Sequence, residues 1–310
     1  MSLFKRRRLD SPPEWASYYT VDDWASFSAL VRAHAGRRRW VGDLAEGYVM
    51  QPFPEVVMAL GTIARLCHAA PRADWAEMIA THLDRAVAMD EALDTDPDQS
   101  RALLRARLVD GAYLEQFSWE LAQREVAERL HLVLAHDLPT MVSTPARGEL
   151  RRLGDEDELF ALALAQTRAE APPDPDCYDL PNPDGTTVPV WLVNDESFFT
   201  ATHALWAEEL VGPPSPHGAL VTVPNRHTLL VHPILDLRVM SATNHMLELT
   251  RRMYAEAPGS ISDGLFWLRD GTLTRLPHRV EDARLVFAPP DEFLDVLYGL
   301  DNPAADHRRA

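Results

Sequence analysis

The dipeptide Asp270-Gly271 constrains the fold of this chain more than any other feature. Both central residues of a two-residue hairpin loop need positive φ, which Asp and Gly supply, and strand-forming runs at 265–268 and 272–276 flank the pair. A second adjacent pair of strands, 219–223 and 228–231, is joined by Pro224-Asn225-Arg226-His227. A third, 131–136 and 140–143, turns back through Asp137-Leu138-Pro139. Strands that arrive in adjacent pairs between helices pair with their sequence neighbours, whereas a doubly wound parallel sheet needs strand and helix to alternate. The expected fold is α+β: mixed or antiparallel sheet layers packed with helices, preceded by a helical N-terminal region.

That N-terminal region spans 1–100. Val21, Trp24, Phe27, Leu30 and Val31 recur at helical spacing, with Thr20 or Asp22 as the cap. After a strand-like piece at 48–50, Val56, Val57, Leu60, Ile63, Ala64 and Cys67 trace one helical face. Pro71 opens a further helix with Trp75, Met78, Ile79, His82, Leu83 and Ala86 on one side. These stripes read as core-facing surfaces, not cofactor sites.

A first α/β half is expected over 101–170. Residues 103–109 close a helix or open a strand, and Thr144-Pro145 starts a short helix that Gly154 ends. The run Asp155-Glu156-Asp157-Glu158 opens another, where four acids suit the helix dipole better than a metal. Residues 171–187 are rich in proline and aspartate and read as a loop or linker. Counted from Asp174, Tyr178 and Asp179 fall where a calcium loop needs a side-chain oxygen and a glycine, so that site is rejected. A second α+β half covers 188–300. It begins with a strand at 188–193 and a helix capped by Asn194-Asp195, with Phe198, Phe199, Thr202, Leu205 and Trp206 inward. A long helix follows from Asp236 to about Glu256, with Val239, Thr243, Met246, Leu247, Met253 and Tyr254 inward. The tail 301–310 reads as frayed.

Composition bounds the function. An apolar share of 46% and a charged share of 25% over 310 residues are globular proportions. The longest apolar run, 159–165, is far short of the roughly 18 residues that span a bilayer. Leu9, Asp10 and two prolines follow the basic run 5–8 where a signal peptide needs apolar residues, so no export and a cytoplasmic location are expected. Cys67 and Cys177 make no motif. The formal charge of −17 opposes general nucleic-acid binding, and the basic runs 5–8 and 37–39 are short enough to be solvated surface.

Histidines 203, 217, 227, 232, 245 and 278 gather towards the C-terminal end of the sequence. His227 and His232, like His131 and His136, stand five apart, which in a strand puts them on opposite faces. His203 and His245 lack a second histidine one helical turn away. No zinc site is expected from this spacing, and no cofactor. Neither G-x-S-x-G, the phosphate loop nor G-x-G-x-x-G after a strand occurs. Lys5 is the only lysine, which argues against Schiff-base chemistry. No catalytic residue is assigned. The turn Asn225, Arg226, His227 is the candidate ligand or partner contact, because hydrogen-bonding groups cluster there between apolar strands. The competing reading is a plain turn in which Arg226 pairs with an acid.

Several stretches carry a resemblance: Ala127-Glu128-Arg129 before the strand 130–135, the segment 160–168 ending in Ala-Leu-Ala-Gln-Thr-Arg, Leu192-Val193-Asn194-Asp195, and Leu220-Val221-Thr222-Val223-Pro224 with Asn225-Arg226-His227. Across about 127–276 the chain resembles the uncharacterised bacterial YtpQ-like family, a domain of unknown function; Pro13-Glu14-Trp15 fits the same pattern. The resemblance implies a bacterial, intracellular α+β fold and carries no activity, cofactor or catalytic residue.

The leading expectation is a non-catalytic intracellular protein-binding module (adaptor, chaperone-like or immunity-type) whose partner is a protein, with a basic surface as the kind that strong acidity would attract. A membrane or nucleic-acid partner is not expected. Two alternatives stand beside it: a hydrolase with a His/carboxylate site at 224–232, and a structural subunit of a larger assembly with an exposed patch around Trp15, Tyr18 and Tyr19.

Overall fold

The computed structural model describes residues 11–45, 47–52, 55–93, 96–115, 120–138, 141–212, 215–256, 259–281 and 284–301. Two compact units form, Met1–Leu103 with His136–Ser143, and Leu104–Ala135 with Thr144–Ala310.

The first unit holds α1 (Val21–Arg37), β1 (Val41–Asp43), β2 (Tyr48–Pro52), β3 (Glu55–Ala59), α2 (Gly61–Ala69), α3 (Trp75–Leu93) and α4 (Pro97–Ala102). Thr20 caps α1 by accepting from the Asp23 N–H, and Trp24, Phe27 and Val31 turn inward. The helical region also contains an antiparallel sheet, β1-β2-β3. The helical face read from 56 to 67 is therefore divided. Val56 and Val57 lie in β3, as their β-branched side chains favour, and the helix starts only at Gly61. Pro71 leads into one 3-10 turn, Arg72–Asp74, before α3 begins. Trp15, Tyr18 and Tyr19 are no surface patch. Tyr19 is buried in the core with Trp24, Phe27 and Ile63, and Trp15 and Tyr18 pack against it. The Trp15 indole N–H donates to the Leu44 and Ala45 carbonyls, and the Tyr19 hydroxyl to Ala64 O at 2.5 Å.

The second unit begins with β4 (Leu104–Asp110), α5 (Gly111–Leu114), β5 (Gln123–Ala127) and β6 (Leu130–Leu138). The last residues of β6 belong to the first unit and pair with β7 (Met141–Ser143), as the bend at 137–139 implied. Next come α6 (Arg147–Leu150) and α7 (Glu156–Ala169). Asp155 caps α7 by accepting from the N–H groups of Asp157 and Glu158. Thr144 does not start α6; its hydroxyl meets the Tyr113 hydroxyl at 2.9 Å, and the Glu149 carboxylate caps the helix on the Ala146 N–H.

The remaining elements are β8 (Asp176–Pro181), β9 (Thr187–Asn194), α8 (Ala207–Leu210), β10 (Ala219–Asn225), β11 (Thr228–Pro233), α9 (Val239–Glu256), β12 (Leu265–Arg269), β13 (Thr272–Leu276), β14 (His278–Glu281), β15 (Arg284–Phe287) and α10 (Asp291–Asp301). The middle of the stretch read as a loop is thus strand β8, hairpinned onto β9 through a tight turn at 182–186. Asp236 precedes α9 in a turn, bonding the Arg238 N–H, and Tyr254 is half-exposed instead of inward. Of the expected tail only Asp301 lies within the described residues, at the end of α10.

An antiparallel six-stranded sheet, β13-β12-β10-β11-β9-β8, organises this unit. Asp270 (φ 50°) and Gly271 (φ 72°) form its predicted hairpin turn. Strand alternation splits the core in two. Val188, Val190, Leu220 and Leu230 meet Val239 and Met246 of α9 and Phe293 of α10 on one face. Val193, Val221, Leu229 and Val231 face the β4-β6-β5 layer and Phe160 of α7 on the other. The free edge of β4 is closed by side chains: the Ala106 N–H donates to Thr167 Oγ1 and the Leu108 N–H to Thr202 Oγ1, both at 3.0 Å.

Candidate functional site

The strands β10 and β11 bring Asn225, Arg226 and His227 together as the sequence indicated, but they are bound inward. Asn225 is buried, and its side-chain oxygen accepts from the His227 N–H at 2.9 Å. Arg226 is buried too, with its guanidinium carbon 4.0 Å from the centre of the Phe198 ring and its Nε donating to His227 Nε2 at 2.9 Å. A guanidinium can only donate, so Nε2 accepts and the imidazole proton sits on Nδ1. That proton faces the carbonyls of Asp195 and Ser197, each at 3.1 Å. Both ring nitrogens are therefore committed. Burial, and then the Arg226 charge, lower the pKa of His227 and keep the ring neutral.

This arrangement explains why the helix expected after Asn194-Asp195 does not form there. In a helix the carbonyls of 195 and 197 would accept from later N–H groups; here His227 takes them. A 3-10 segment, Thr200–Trp206, follows instead, leading into α8. Gly259, at φ +72°, lies against Arg226, and a Cβ there would stand 2.7 Å from Arg226 Cδ. The Phe198 ring and the His227 imidazole are among the partners of the Arg226 guanidinium.

Two further polar pairs escaped the sequence reading. Ser100 Oγ lies 2.9 Å from His136 Nε2, with both residues buried. His34 Nε2 lies 2.8 Å from Asp84, which also pairs with Arg38. Each joins residues dozens of positions apart, so no local motif announces it. Burial holds the His136 pKa down at about 4. His232, on β11, gives Nδ1 to the Pro189 carbonyl at 2.7 Å. Among the described residues no group of three or more His, Cys, Asp or Glu is placed to hold a metal ion.

The first unit has a groove of about 410 Å³ between α2 and α3. Ile63, Leu66 and Met78 supply apolar lining, and Asp74, Glu77 and Arg85 its charges. Leu66 is 50% exposed. Among the described residues neither Asp74 nor Glu77 takes part in an ion pair. Met78 and His82, expected in the core, are half-buried along this groove. The spacing Asp74, Glu77, Met78, Thr81, His82, Arg85 was a legible signal of one continuous helix face.

No family model matches the chain, and no curated protein or solved structure is significantly similar to it. The likeness to the YtpQ-like family rests on the quoted residues alone.

Proposed function

We propose that this chain is a non-catalytic protein-binding module that receives a basic segment bearing apolar side chains in the groove between α2 and α3. The observation that carries this is the groove itself: apolar walls with Leu66 half in solvent, and two acids with no cationic partner among the described residues. A cation from a partner would meet Asp74 and Glu77 while an apolar side chain covers Leu66. The formal charge of −17 adds long-range attraction for a basic surface.

The commitment of both His227 nitrogens supports binding over hydrolysis at 224–232, because the ring has neither a free lone pair for a substrate proton nor a spare proton to give. A cytoplasmic setting belongs to the same proposal, and free Cys67 and Cys177 suit a reducing compartment. Among the described residues no helix is long and apolar enough to cross a membrane.

The test is co-purification from lysate of the source organism with the full chain, Leu66→Asp, and Asp74→Asn with Glu77→Gln. A basic protein recovered at equal amount, crosslinked to α2 or α3, released by salt and lost from both variants supports the proposal. Recovery that is identical with all three baits refutes the groove, and turnover of a defined substrate by the purified chain refutes the non-catalytic class.

A further inference from the structure

The six-stranded sheet ends differently at its two edges. β13 packs against β5, whereas among the described residues no strand pairs with the outer side of β8. β8 is also exposed at every position but Leu180. The outer edge of such a strand presents unpaired N–H and C=O groups at alternate residues. Register fixes its side chains. Asp176, Tyr178 and Leu180 stand opposite Leu192, Val190 and Val188 on the α9 face, and Cys177 and Asp179 opposite Trp191 and Pro189 on the other.

Large apolar side chains gather at the same end of the sheet. Tyr178 is 49% exposed, and Leu235, Leu237 and Met240, in the turn from β11 into α9, are 48%, 43% and 45% exposed. That turn approaches β8 closely enough for Asp179 to act on Arg238. An open edge beside exposed apolar groups invites another strand, and charge decides which. Asp176 and Asp179 take part in no ion pair among the described residues, and a second copy of β8 would set aspartates against aspartates. A basic strand relieves the same two charges.

We propose that the open edge of β8 receives an extended basic segment of a partner protein as a seventh strand, with cationic side chains beside Asp176 and Asp179 and an apolar one against Tyr178. This surface lies on the second unit, shares no residue with the α2–α3 groove, and has its own variants, so either assignment can fail without the other.

The probe is a fluorescein-labelled peptide of about ten residues repeating Lys-Lys-Val-Val, which sets lysines on both faces with a valine between those that meet Asp176 and Asp179, and its control has glutamate in place of lysine. Anisotropy against the full chain follows binding, with the oligomeric state checked by sedimentation. The lysine peptide binds, weakens as salt rises from about 50 mM to about 500 mM, and slows amide exchange along β8. The variant carrying Asp176→Lys and Asp179→Lys, both exposed and therefore safe for folding, binds at least about tenfold more weakly. N-methylation of alternate peptide residues, prepared in both phases, abolishes binding in at least one phase, because strand addition needs backbone donors.

Equal binding by both methylated peptides overturns the proposal in favour of surface attraction alone. So does loss of binding in Asp74→Asn with Glu77→Gln but not in the β8 variant, which would move the peptide to the groove. Dimerisation that competes with the peptide assigns the edge to a second copy, and absence of binding leaves the edge without its occupant; each overturns the inference.

Discussion

Acid should weaken this protein through His136 in a way that can be calculated. Its ordinary pKa of 6.5 falls to about 4 because burial penalises the charged ring. As pH drops between those values, the unfolded chain takes up a proton that the folded chain refuses. Stability therefore falls by about 1.4 kcal/mol per pH unit for this group. The contribution is complete above pH 6.5 and is lost progressively down to about pH 4, a total of about 3 kcal/mol. His82, His203, His227 and His232 are shifted in the same direction by burial, so the wild-type acid limb is steeper still. His136→Gln isolates one contribution, since glutamine keeps a hydrogen-bonding group near Ser100 and does not titrate. Urea unfolding at steps from about pH 7 to about pH 4.5 should show the wild type losing about 2.5 kcal/mol more than the variant. Parallel curves for the two proteins would refute the argument, and with it the claim that His136 is neutral in the fold.

Thr202→Val keeps the side-chain shape but orphans the buried Leu108 N–H at the β4 edge, and should cost about 1–3 kcal/mol in denaturant unfolding; an unchanged midpoint would mean another group satisfies that amide. Gly259→Ala forces a side chain into positive φ and against Arg226, and should cost about 2 kcal/mol or more by the same measurement. Asp155→Ala removes the cap of α7 and should cost about 1 kcal/mol, with faster amide exchange confined to the first turn of that helix.

Local chemistry made much of this fold legible. The Asp270-Gly271 turn, the β10–β11 pair, the Asp155 cap and the inward faces of α1 and α9 all follow from residues within a few positions of one another. What failed to show was non-local. The β1-β2-β3 sheet was masked because Val56 and Val57 continue the apolar period of α2 for half a turn. β8 was hidden by prolines, which an edge strand tolerates where a central strand would not. The helix at 195 was predicted from a sound capping signal that lost to a tertiary competitor, His227, which takes the carbonyls a helix would need. The turn between β10 and β11 falls where the residues predict it, yet its direction could not be read, because whether Arg226 faces solvent or Phe198 depends on a segment some thirty residues away.

The density of histidines towards the C-terminal end invites a catalytic interpretation, and the individual bonds argue for a different one. A working base needs a ring nitrogen open to substrate and a pKa near the operating pH. His227 has both nitrogens engaged within the chain, His203 is buried beside Trp206, and His245 reaches across to Asn182 at 3.1 Å. His232 hands one nitrogen to a backbone carbonyl and buries the other. At 227, 232 and 245 the imidazole meets a polar group that a purely apolar residue would leave without that partner: the Arg226 guanidinium, the Pro189 carbonyl and the Asn182 side chain. Burial lowers the pKa of His203, His227 and His232, so these neutral rings stabilise the fold near neutral pH and oppose it in acid. Among the described residues, Asp74 and Glu77 at the groove and Asp176 and Asp179 on the sheet edge are carboxylates that take part in no ion pair. Removing those charges should change what the protein holds far more than how stably it folds, whereas changing the histidines should do the reverse.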